Sequence, residues 1–149
     1  GMTKHEIREY AFLLLYETLV RTDWNGDLEE LYQSTEEMVE LPIPTQVKRY
    51  VEGIRKQADE LDQIIASYSK NRVLNRIPLV NRTILRLALY ELRNIPKTPV
   101  NVVISEAVAL SRAYALPEDT SFINGVLGAY SRAEKAAKEA GSHDADPGA

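Results

Sequence analysis

At 149 residues the chain falls within the span of one domain and is long enough to bury a hydrophobic core. Its 44% hydrophobic and 27% charged residues are ordinary for a globular protein, and the absence of cysteine excludes disulfides, thiolate metal sites and cysteine nucleophiles, as suits a reducing cytoplasm. A formal charge of −4 argues against indiscriminate coating of nucleic acid, and no apolar run approaches the roughly 20 residues that span a bilayer, so no membrane partner is expected.

The charge is unevenly spread. Residues 21–70 carry six Lys/Arg against eleven Asp/Glu, whereas residues 71–112 carry seven against two, Glu91 and Glu106. One part of the molecule can attract an anion that another part repels. Scatter of the same charges around several helices, with no patch, is the alternative.

Apolar residues recur at helical spacing almost throughout, and no segment alternates as a strand. Thr3 followed by Glu6 has the form of a capping box, and Ile7, Ala11, Leu14, Leu15 and Thr18 share one face, which predicts a helix over about 4–21. Trp24-Asn25-Gly26-Asp27 breaks it. A second helix over about 27–40 carries Leu28, Leu31, Tyr32, Met38 and Val39 and stops at Leu41-Pro42-Ile43-Pro44. Thr45 can then cap a long third helix whose seam runs Val47, Val51, Ile54, Ala58, Leu61, Ile65 and Tyr68. A polar, Arg-containing stretch from Ser69 to Arg76 leads to Ile77-Pro78.

From Leu79 to about Asn94 the chain is apolar around most of a helix, which belongs at the centre of a bundle. Pro96 and Pro99 end it and set up a helix over about 100–115 with Val103, Ala107, Leu110 and Tyr114 inward. Pro117 opens a turn to a last helix over about 119–138, and residues 139–149 read as a disordered tail. The expectation is all-α: one domain over 1–138, six to seven helices in two packed sub-bundles sharing a core.

Catalytic groupings are scarce. The two histidines, His5 and His143, have no neighbours suited to a ligand set or a general base, and no phosphate loop or nucleophile elbow occurs. The carboxylate pairs Glu29-Glu30, Glu36-Glu37 and Asp59-Glu60 sit at adjacent helical positions and point apart. A binding protein without cofactor or metal is expected.

Four ordered segments carry a family resemblance. Residues 77–92, Ile-Pro-Leu-Val-Asn-Arg-Thr-Ile-Leu-Arg-Leu-Ala-Leu-Tyr-Glu-Leu, resemble the hallmark segment of NusB proteins, and residues 122–127, Phe-Ile-Asn-Gly-Val-Leu, resemble their F-V-N-G-V-L motif. Residues 102–110 are similar to the family's V-x-I-N-E-A-V-E-L helix, and Arg8-Glu9-Tyr10-Ala11 through Leu15-Tyr16 to its opening motif. Together the match covers about residues 4–132; the acidic middle agrees only in helical character.

The resemblance implies a two-part helical, non-enzymatic fold that binds the boxA element of ribosomal-RNA leader transcripts. The partner would be a small-subunit ribosomal protein, NusE, within an RNA polymerase antitermination complex. Carried over by position, the RNA face falls on Lys4, His5, Arg8 and Tyr16, on Asn81 and Arg82, and on Ser121, Phe122 and Asn124. A partner surface near Arg93, Asn94 and Lys97 is expected from the second helical group.

Each residue also has a structural reading. Tyr16 and Phe122 sit at core spacing, and Asn124-Gly125 can serve close helix approach. Arg86 can tie Glu106 or a backbone carbonyl, and Arg8 can pair with Glu9 or a later-turn group. Where the family carries several N-terminal arginines this chain has Lys4 and Arg8 against Glu6 and Glu9; its Gln is Leu13 and its Lys before the Phe is Ser121. Fewer phosphate contacts imply weak RNA affinity for the protein alone. Two alternatives follow. One is a protein-interaction module without RNA binding. The other is the helical domain of ribosomal-RNA cytosine methyltransferases, disfavoured because no glycine-rich strand–helix turn occurs.

Overall fold

A computed structural model describes residues 1–21, 23–70 and 72–144, with side chains described through residue 141. The described residues form seven helices and one 3-10 turn: α1 Lys4–Val20, α2 Leu28–Val39, α3 Thr45–Lys56, α4 Ala58–Tyr68, the turn Leu74–Arg76, α5 Leu79–Asn94, α6 Val100–Tyr114 and α7 Asp119–Asp144. The all-α expectation holds.

Local chemistry sets the boundaries. Thr3 accepts a hydrogen bond from the Glu6 backbone N–H at 3.1 Å while Glu6 accepts from the Thr3 N–H at 2.9 Å, completing the expected capping box of α1. Asp27 caps α2 through the Glu29 N–H. Pro44, Pro78 and Pro99 stand immediately before α3, α5 and α6, with φ of −56°, −52° and −59°. Their rings preset the entry angle, and none of the three helices has a side-chain cap. Thr45 is the first residue of α3, not its cap, because Pro44 already holds the extended conformation that a cap requires.

The long third helix of the sequence reading is two helices. Gln57, at φ −99° and ψ 11°, leaves the helical basin and divides α3 from α4. Arg55 and Lys56 end α3, and Asp59 and Glu60 open α4, each sign matched to its helix terminus. The apolar seam nevertheless continues through the break, since Val47, Val51, Ile54, Leu61 and Ile65 are all buried.

That break moves the chain between sub-bundles. α1 packs on α3 and α5, whereas α4 packs on α5 and α7, and α6 on α5 and α7. Central α5 therefore touches α1, α3, α4, α6 and α7. Its residues Ile84, Leu85, Leu87, Ala88 and Leu89 are buried, each of the larger ones contributing about 1.5–3 kcal/mol on transfer from water. Gly53 of α3 lies against α5: a Cβ there would strike the ring of Tyr90.

Several expected core positions lie outside the core. Of the apolar residues of α2 only Leu31 and Tyr32 are buried, and Met38 is 84% exposed. Tyr114 is exposed at the end of α6, where it donates to Glu9 at 3.1 Å. The last helix continues through Asp144, not Lys138, because Ala136, Ala137, Glu139 and Ala140 favour helix without needing a core. The remainder of the expected tail, 145–149, lies outside the described residues.

Candidate nucleic-acid interface

The antiparallel course of α1 and α5 positions the first group of candidates. Arg8 in the second turn of α1 meets Glu91 in the last turns of α5. Tyr16, two turns after Arg8, consequently lies toward the start of α5. Side-chain links carry α1 across to α6: His5 to Glu106 at 2.7 Å, Glu9 to Tyr114, and the Phe12 ring to the Tyr114 ring at 4.9 Å.

Lys4 and His5 are exposed in the first turn of α1. His5 Nδ1 meets Glu106 Oε2, and this hydrogen bond and charge hold the imidazole pKa above 6.5. Tyr16 is half-buried and stacks on Phe12 with centroids 6.0 Å apart and planes 14° from parallel. One ring face is thereby spent inside the protein.

Arg8 is buried. Its Nε donates to Glu91 Oε2 at 2.9 Å and its NH2 to Oε1 at 2.8 Å, while the Tyr50 hydroxyl donates to the same Oε1 at 2.9 Å. Burial and the Glu91 charge push the Tyr50 phenol pKa up. The pairing is with Glu91 and, at 3.7 Å, Glu106, not with Glu9, because the residue points into the α1–α5 seam. Arg8 therefore has no face to offer RNA.

Asn81 is also removed from the surface: it is fully buried on α5, and among the described residues neither of its amide atoms has a hydrogen-bond partner. Its neighbour Arg82 is half-buried and donates through NH2 to the Leu74 carbonyl at 2.7 Å, bracing the 3-10 turn against α5. Arg86 forks onto Asp62 of α4 at 2.7 and 2.6 Å. It does not tie Glu106 or a carbonyl, because α4 and not α6 runs beside that face.

The second group gathers at the start of α7. Ser121 and Asn124 are exposed, and Phe122 is half-buried. Over the Phe122 ring, 4.2 Å from its centroid, stands the guanidinium of Arg72. A Cβ on Gly125 would meet nothing within 4 Å, so Asn124-Gly125 is open surface and does not serve helix approach. Arg72 belongs to no motif of the sequence. The polar stretch that holds it was visible, but its contact with a ring 50 positions later was not.

The uneven charge resolves into used and free cations. Arg86 and Arg93 are paired with Asp62 and Glu60. Arg72, Arg76 and Arg112 are exposed, and among the described residues none of them forms an ion pair. They lie in the segment before α5 and in the last turn of α6, the end of the bundle that also carries Phe122. At the other end of α5, Arg93, Asn94 and Lys97 are exposed, with Asn94 exchanging two 3.1 Å hydrogen bonds with Gln57. Among the described residues no group of three or more His, Cys, Asp or Glu could hold a metal, and no helix is long and apolar enough to cross a membrane.

The NusB family model matches residues 5–132. A transcription antitermination protein NusB from Thermoanaerobacter sp. (strain X514) is 35% identical over 138 residues, covering 89% of this chain and 93% of that protein. Among solved structures, T. maritima NusB superimposes with a TM-score of 0.73 at 29% identity, covering 86% of this chain and 89% of that one. A structure of antitermination factors NusB and NusE in complex with dsRNA matches with a TM-score of 0.73 at 27% identity, covering 89% and 99%.

Proposed function

Because the chain belongs to the NusB family, we propose that it is a transcription antitermination factor that binds boxA-type leader RNA of ribosomal RNA transcripts together with NusE, a small-subunit ribosomal protein. It works in the cytoplasm as part of the RNA polymerase antitermination complex and acts by binding alone, without making or breaking bonds. The observation that carries this reading is Arg72 stacked on Phe122 beside exposed Ser121 and Asn124. Readers of single-stranded RNA need a ring or guanidinium plane for bases, amides for base edges and cations for phosphates. All three are present at the start of α7.

On this reading Ser121, Phe122, Asn124 and Arg72 form the principal contact, extended by Tyr16, Lys4 and His5 along α1. Arg8, Asn81 and Arg82 act from within: Arg8 fixes α1 on α5, and Arg82 holds the 3-10 turn that follows Arg72. The Arg93–Asn94–Lys97 surface, at the end of α5 away from Phe122, faces protein, so the principal RNA contact and the protein do not compete for one patch.

Few free cations stand along α1, so the isolated protein binds weakly and steeply salt-dependent association develops with NusE present. Fluorescence anisotropy with a boxA oligoribonucleotide, with and without NusE, tests this. Tight binding of the lone protein at physiological salt contradicts the weak-binding part, and no association even with NusE overturns the RNA reading. The withdrawal of Arg8 into the core favours a second reading, a protein-interaction module without RNA binding. Complex formation with NusE that is indifferent to RNA would select it.

A further inference from the structure

The opposite end of the bundle carries a groove that the RNA reading does not use. The last turn of α5, the start of α6 and the outer half of α7 enclose a cavity of about 620 Å³. Its floor is apolar: Leu92, Pro96, Val100 and the ring of Tyr130, with Val100 47% exposed. Its rim is cationic, with Arg93, Arg132, Lys135 and Lys138 against Glu134 and Glu139. Arg93 is paired with Glu60, but among the described residues Arg132, Lys135 and Lys138 form no ion pair.

Residues 132, 135 and 138 recur at three-residue steps, placing three cations along one side of α7. The helix beyond Tyr130 has no buried residue as far as 141, so this stretch is not held in place by a core. An exposed apolar floor beneath a rim on which cations outnumber carboxylates matches an amphipathic ligand of opposite charge.

We propose that this groove docks an acidic amphipathic helix of a protein partner, its apolar face on Leu92, Pro96 and Val100 and its carboxylates on Arg132, Lys135 and Lys138. RNA fits it poorly, because the floor presents no exposed aromatic face on which a base could stack. A second copy fits poorly too: joining this cationic groove to the acidic residues of another chain is a head-to-tail contact, which builds rings or filaments and not the common two-fold dimer. The inference rests on reading this end of α5 as protein-facing, and it stands whether or not RNA binds at Phe122.

The test uses the full chain and a fluorescein-labelled helical peptide with leucine at every third or fourth position and glutamate elsewhere. Saturable binding is expected, weakened roughly tenfold or more by Lys135→Glu combined with Lys138→Glu, and comparably by Val100→Ser. All three positions are exposed, so the fold is retained, and Lys56→Glu on α3 serves as the charge control with little effect. No binding overturns the proposal. Equal binding of a peptide with leucines replaced by serine overturns it in favour of plain charge attraction. Chemical-shift changes of the groove amides by a boxA oligoribonucleotide overturn it in favour of a nucleic-acid surface. Self-association abolished by the Lys135/Lys138 change overturns it in favour of a second copy.

Discussion

Arg8 and Glu91, 83 residues apart, meet as a two-pronged ion pair sealed between α1 and α5. Their side chains are 6% and 2% exposed, and Tyr50 of α3 donates a third hydrogen bond to the same carboxylate. Three helices from the first sub-bundle and the shared core are thereby joined at one carboxylate. Two desolvated charges gain little net over an apolar pair of equal size, but either one alone is costly. Arg8→Met or Glu91→Leu is therefore expected to lower stability by about 3–5 kcal/mol, and the double change to recover much of that loss. Urea unfolding of the three variants checks this; a double variant as unstable as the sum of the singles would contradict it.

The same pair marks how far the sequence could be read. Helix existence was legible because burial repeats at helical spacing: the faces Ile7–Ala11–Leu14 and Ile84–Leu85–Ala88 are interior as their periods require. The break at Gln57 leaves no mark in the periodicity because the apolar seam runs through it. The sign change from Arg55-Lys56 to Asp59-Glu60 was the signal available. Site residues were less legible. A guanidinium can serve RNA or the interior, and only the fold sends Arg8 inward to Glu91 and Arg72 outward onto Phe122. The charge excess of residues 71–112 says how many cations exist, not which of them carboxylates from α4 will neutralise.

Gly53 separates two opposite expectations. In a helix interior, alanine is favoured over glycine by roughly 0.5–1 kcal/mol, so propensity alone predicts that Gly53→Ala stabilises. The added Cβ meets the Tyr90 ring, which must turn away or push α3 from α5. Overpacking of this kind costs about 1–3 kcal/mol, enough to reverse the sign. Net destabilisation is expected, relieved when Tyr90→Ala is added. A Gly53→Ala protein that melts higher than the parent would show that α3 and α5 do not approach this closely.

The His5–Glu106 contact makes a pH-dependent link between α1 and α6. The Glu106 hydrogen bond and then its charge raise the His5 pKa above 6.5, so the folded state binds that proton more tightly than the unfolded chain. The stabilisation is complete below about 6.5, the unfolded value, and is lost as pH rises through the higher folded pKa. His5 is half-exposed, so the stability effect is small and the pKa is the better readout. Proton NMR titration is expected to place the His5 midpoint above that of a free histidine, returning toward it in Glu106→Gln. An unchanged midpoint in that variant would mean that the two groups do not interact in solution.

Arg72 and Phe122 should affect RNA differently although they touch each other. A base stacked on the Phe122 platform contributes about 1–3 kcal/mol, a term that salt scarcely alters. A guanidinium that neutralises a phosphate releases a counterion, so its removal lowers the slope of log affinity against log salt by about one. Titrations in the presence of NusE are expected to find Phe122→Leu weakened at every salt concentration with its slope retained. Arg72→Ala is expected to be weakened most at low salt, with a shallower slope. Arg76→Ala, four residues further along at the end of the 3-10 turn and exposed, should resemble Arg72→Ala if phosphates run past that turn. Identical slopes for Arg72→Ala and the parent protein would mean that this guanidinium serves the ring alone, leaving the phosphates to other cations.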